Sequence, residues 1–203
     1  MKDIIILTAD NNVKQLLSGL LPRIPLIEKT AEFTYDIEVH PRHDSGIVNE
    51  SHTFLRPFSD QYKYAIVICD QEGSGRESEN AEKIEQEIEE KLSENGWGKR
   101  GLAIVVHPEI ENWVWVNAAQ LHNALDWSLP NDIYDWLVKY GWKKAEELKP
   151  KRPKEAFEST LKLSKIPRSS SLYKEICSAA SYKLCKDRAF LKLRNMLIIW
   201  FKK

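Results

Sequence analysis

The chain has 203 residues, of which 42% are hydrophobic and 30% charged, a composition that describes a folded globular protein and excludes a disordered one. That length buries one good core with an appendage and leaves two full domains cramped. The formal net charge is zero but unevenly spread: residues 1–140 carry 13 Lys+Arg against 24 Asp+Glu, net −11, and residues 141–203 carry 17 against 6, net +11.

Two accounts fit this asymmetry. Either the acidic front and the basic tail attract each other and fold together, or the basic part holds a polyanion while the acidic part holds a cation. The apolar run Ile4 to Leu7 is too short for a signal-peptide core, and Met196 to Phe201 is too short to span a bilayer. A cytoplasmic protein without a membrane partner is expected. Cys69, Cys177 and Cys185 are odd in number and lack a Cys-x-x-Cys spacing, so neither a disulfide framework nor a zinc ribbon is suggested.

In chain order, Asp3 to Thr8 is rich in β-branched residues and reads as a first strand. Asp10 or Asn11 can cap the helix that follows, whose Val13, Leu16, Leu17, Leu20 and Leu21 recur at helical spacing until Pro22. Phe33 to Val39 alternates and reads as a second, half-exposed strand, leaving His40 to Gly46 as a polar loop. Together with His52, His40 and His43 are spaced too unevenly to give more than weak support for a metal site. Tyr64 to Cys69 is a buried third strand.

Ala81, Ile84, Ile88 and Leu92 mark one apolar stripe on an acidic helix that ends at Asn95-Gly96. Leu102 to Val106 is the fourth strand. Beyond His107 the pattern turns helical, at Ile133 to Tyr140, Ser171 to Tyr182 and Arg188 to Phe201. Lys149-Pro150-Lys151-Arg152-Pro153-Lys154 reads as a hinge or linker. Strands alternating with helices predict an α/β fold with a mainly parallel sheet flanked by helices.

On this outline the acids converge. Asp10 follows the first strand, Asp70 and Glu72 the third, and Glu109 and Glu111 the fourth. The carboxyl ends of parallel strands share one edge, so these side chains meet there. Unpaired carboxylates repel until one takes up a proton, and a hard divalent cation such as Mg²⁺ or Mn²⁺ removes the conflict. Gly73 and Gly75 let the chain turn tightly beside Asp70 and Glu72. Trp113 and Trp115 sit among apolar neighbours, which favours core packing over base stacking.

The first strand and helix, then Val67-Ile68-Cys69-Asp70-Gln71-Glu72, then His107-Pro108-Glu109-Ile110-Glu111-Asn112-Trp113, resemble the Toprim-like proteins related to the OLD and RloB nucleases. The basic run at 149–155 and Cys185 to Phe190 resemble the bacterial, anti-phage defence-associated branch of that family. The resemblance implies a Toprim or Rossmann-like α/β domain over residues 1–145 and a basic helical segment, 146–203, packed on it. It also implies a Mg²⁺ or Mn²⁺ site at Asp70, Glu72 and Glu111, serving phosphodiester chemistry on nucleic acid, with catalytic roles for Asp10, Glu109 and Glu111.

Lys151, Arg152 and Lys154 would then neutralise substrate phosphates, where otherwise they form a solvated linker face. The chain departs from the family twice: Thr8-Ala9-Asp10-Asn11 stands where Glu-Gly is usual, and Glu72 replaces the second Asp of the pair. Two readings follow: a nuclease or related phosphoryl-transfer enzyme of a defence system, and a catalytically degraded subunit that binds partner proteins or nucleic acid. A phosphatase using Asp70 would want a Thr or Ser shortly afterwards that is not clearly placed, and there is no P-loop pattern and no serine-hydrolase relay.

Overall fold

A computed structural model describes residues 1–116, 118–183 and 185–203. Four strands, β1 (Lys2–Thr8), β2 (Tyr35–Val39), β3 (Tyr62–Asp70) and β4 (Gly101–Val106), form one sheet in the order β2-β1-β3-β4. Every pair is parallel, with Thr8 opposite Val39 and Ile68, and Asp70 opposite Val106. This is the expected α/β architecture, consistent with a Rossmann or Toprim-like fold.

Because side chains alternate along a strand, Ile4, Ile6, Ile66 and Ile68 face one side while Ile5, Leu7, Val67 and Cys69 face the other. Both sides are covered, which is why these strands read as unbroken apolar runs. The first side packs on α1 (Asn11–Leu20), α7 (Pro153–Ser164), α8 (Ser170–Ala179) and α9 (Arg188–Trp200). The second packs on α3 (His43–Leu55), α4 (Ala81–Leu92) and Trp97. Short α2 (Ile24–Glu28), α5 (Ala118–Ala124) and α6 (Ile133–Lys139) are the other α-helices among the described residues. No helix among the described residues is long and apolar enough to cross a membrane.

Two elements differ from the sequence reading. The polar loop expected from His40 to Gly46 turns at His43 into α3, the crossover from β2 to β3. Its buried face includes Gly46 and Ser51 beside Ile47, Val48 and Leu55, so no clean apolar stripe betrays it. The hinge expected at 149–154 ends in α7, which Pro153 opens at a position where its missing N–H costs nothing.

As for the charge asymmetry, several tail cations pair with the acidic front. Arg188 and Lys192 bond Glu85, Lys192 also bonds Glu89, and Arg194 bonds Glu28. Glu85 and Glu89 serve the sheet as well. They accept the outward N–H groups of Val105 and Ala103, at 2.8 and 3.0 Å, on β4, which is an edge strand. Buried backbone donors need such partners, and the unprotected edge is thereby closed by α4.

Candidate metal centre

The chain leaves β1 toward β2 on one side and reaches β3 on the other, so the order of strands reverses between β1 and β3. Open parallel sheets hold ligands beyond the carboxyl ends at such a point. Asp70 is the last residue of β3 itself and stands at this edge. Its Oδ1 accepts the N–H of Ile110 at 2.8 Å, and its own N–H donates to Asp44 Oδ1 at 2.9 Å. Gln71 and Glu72 donate their backbone N–H to the carbonyls of Val106 and Pro108, which ties the end of β3 to the segment leaving β4.

That tie brings Asp70, Glu109 and Glu111 together, with one ligand oxygen from each lying within 4.8 Å of the others. Glu109 and Glu111 are buried and Asp70 partly so. Glu109 Oε1 accepts the N–H of Lys154 at 3.0 Å, and its Oε2 lies 3.8 Å from the Lys154 ammonium. Glu111 Oε1 accepts from the Tyr173 hydroxyl at 2.6 Å and from Arg168 Nη2 at 3.0 Å. Arg168, with a third of its side chain exposed, reaches across to Glu158 as well.

Burial is the main reason the Asp70 carboxyl lies well above its ordinary range, with the charges of Asp44, Glu111, Asp10 and Glu109 adding to it. Burial, then the Glu111 charge, pushes Glu109 to about 7, against the opposing hydrogen bond from Lys154. Burial also raises Asp44, with Asp10 contributing. Such a set is at odds with itself until a proton or a cation arrives. The donors fit a hard cation: Asp70 Oδ2, Glu109 Oε2 and Glu111 Oε2 accept no hydrogen bond from the described residues, so each carboxylate keeps one oxygen for an ion.

The other residues singled out from the sequence lie around this centre. Glu72 is exposed and outside the three-carboxylate group; it lines a groove of about 440 Å³ with Glu109, Lys151, Arg152 and Lys154. Asp10 caps α1, its Oδ1 accepting the N–H of Val13 at 2.9 Å and its Oδ2 the Asn12 amide at 3.3 Å. Lys151 and Arg152 are exposed and paired locally with Glu147 and Glu155. Gly73 and Gly75 take φ of +83° and +80°, and the loop closes on Glu77, whose Oε1 accepts both of their N–H groups.

Trp113 and Trp115 are buried, their indole N–H groups held by Asp187 and the Pro153 carbonyl. Among the described residues the histidines form no metal-binding group, and Cys69, Cys177 and Cys185 are free thiols. Sequence reading missed Asp44, Arg168 and Tyr173. Asp44 follows the one strand for which no acid was sought, and the same rule of an acid beyond each strand finds it. Nothing local marks Arg168 or Tyr173, which arrive from around and within α8 through packing alone. Compared with family models, curated proteins and solved structures, the chain finds no match in any of the three.

Proposed function

We propose that this chain is a Mg²⁺- or Mn²⁺-dependent phosphoryl-transfer enzyme, a Toprim-type nuclease acting on nucleic acid within a prokaryotic anti-phage defence system. The observation that carries the reading is the meeting of Asp70, Glu109 and Glu111 at the carboxyl edge of a parallel sheet, beside a groove bordered by Lys151, Arg152 and Lys154. The defence setting rests on the family resemblance alone.

In this reading Asp70, Glu109 and Glu111 hold the ion, which when bound polarises a phosphate and acidifies a water. Arg168 and Tyr173 fix Glu111 by one oxygen, and the other, which accepts no hydrogen bond from the described residues, would be free to meet the ion. Lys151 and Arg152 meet the phosphates of the strand, positioning it without reading its sequence. Glu109, whose carboxyl lies near 7 in the ion-free chain, would give up its proton as the ion binds, so metal affinity should rise with pH.

The test is cleavage of end-labelled single- and double-stranded DNA and RNA with Mg²⁺ or Mn²⁺ against EDTA. We expect metal-dependent cutting that Asp70→Asn abolishes. Protein that neither cuts any of the four substrates nor binds Mn²⁺ ends the enzyme reading. The commitment of Asp10 Oδ1 to capping α1 and of its Oδ2 to the Asn12 amide favours the second reading, a fold-retaining subunit that binds partners or nucleic acid without hydrolysis.

A further inference from the structure

A recess of about 770 Å³ is walled by Trp115, Val116, Tyr134, Leu148, Lys149 and Cys185. Its size and mainly apolar lining are those of a small-molecule site. The two acids in its wall are already engaged. Glu147 accepts the N–H of Lys144 and pairs with Lys151, and Asp187 accepts from Trp113, Phe190 and Asn112.

Lys143, also in the wall, gives its ammonium to the carbonyls of Lys144 and Glu147. Lys149 is different. Its ammonium is shut away from solvent with no hydrogen-bond partner among the described residues, an arrangement that is costly until the flexible stem turns the charge to an anion.

Shared wall residues link the recess to the groove beside the acid centre. The recess shares Lys143 and Glu147 with a second recess of about 430 Å³, which shares Lys151 and Arg152 with the groove that holds Glu109.

We propose that this recess binds one nucleoside monophosphate unit, its base against Tyr134 and Val116 and its phosphate on Lys149. The unit is the unpaired end of a strand whose backbone passes Lys151 and Arg152. The strand assignment rests on the nuclease reading, whereas binding of the unit does not.

The experiment therefore runs in EDTA, with the whole chain, by calorimetry and by the Trp115 indole N–H resonance. Adenosine 5′-monophosphate should bind and shift that resonance, and adenosine should bind about tenfold more weakly, the weight of one charge-assisted hydrogen bond. Lys149→Met should bring the nucleotide down to the affinity of adenosine while raising the melting temperature, because a buried unpartnered charge is removed. Leu148→Asp, at an exposed rim position, should weaken the nucleotide and spare adenosine.

A short single-stranded oligonucleotide that displaces the nucleotide supports a strand end; failure to displace it overturns the strand and leaves a free-nucleotide site. No nucleotide binding at millimolar concentration, equal affinity for adenosine, or unchanged affinity in Lys149→Met overturns the site. None of these outcomes depends on Mn²⁺ binding or cleavage, by which the nuclease reading stands or falls.

Discussion

Glu109 offers a thermodynamic test of the acid centre. Its carboxyl moves from 4.5 in a free side chain to about 7 in the folded chain. Between those values the folded protein holds a proton that the unfolded chain has released, so stability is greatest below about pH 4.5 and falls as the pH rises to 7. At 1.36 kcal/mol per pH interval the loss is about 3 kcal/mol. In a chain of 203 residues this corresponds to roughly 6–12 °C in melting temperature. Asp70, displaced in the same direction, adds to the same slope.

Glu109→Gln removes the titrating group, and should leave the metal-free protein more stable than wild type at about pH 7.5 with the two alike near pH 4.5. A cation bound to the ionised set reverses the loss in wild type, and at about a hundred times its Kd restores about 2.7 kcal/mol. Urea unfolding across this pH range, in EDTA and in Mg²⁺, measures both. Superimposable pH profiles for wild type and Glu109→Gln, or no effect of Mg²⁺ at about pH 7.5, would refute the reasoning.

Glu85 accepts the buried N–H of Val105 at 2.8 Å and both Arg188 and Lys192. Glu85→Ala should destabilise by about 3 kcal/mol in chemical denaturation, because an edge-strand donor is left without a partner, and Glu85→Gln by less than half as much. Arg168→Met leaves Glu111 buried with only Tyr173 and should cost about 2 kcal/mol in EDTA, a loss that Mn²⁺ reverses in thermal melts. If cleavage is found, Asp70→Asn and Glu109→Gln should lower it by about 100-fold or more. Glu72→Gln, at an exposed position outside the carboxylate group, should lower it by no more than about threefold. Equal losses for all three would place Glu72 among the ligands.

The four strands were legible because both faces of a buried parallel sheet must be apolar, which leaves runs such as Ala65 to Cys69 that no surface segment carries. That acids gather at one edge was legible too, since parallel strands all end on the same side. Helix α3 was hidden because it buries Gly46 and Ser51 as part of its face, so its pattern never reaches helical period. Which acids meet was beyond the sequence. Asp70 and Glu72 are two residues apart, yet only Asp70 faces Glu109 and Glu111, because the backbone of Glu72 is pinned to Pro108 while its side chain lies in solvent. The tail's basic residues likewise found partners that only the packed helices supply: Arg168 reaches Glu111 across 57 positions of chain and Arg188 reaches Glu85 across 103. Period and strand polarity are local properties written along the chain, whereas pairing of charges depends on distances that exist only once the core has closed.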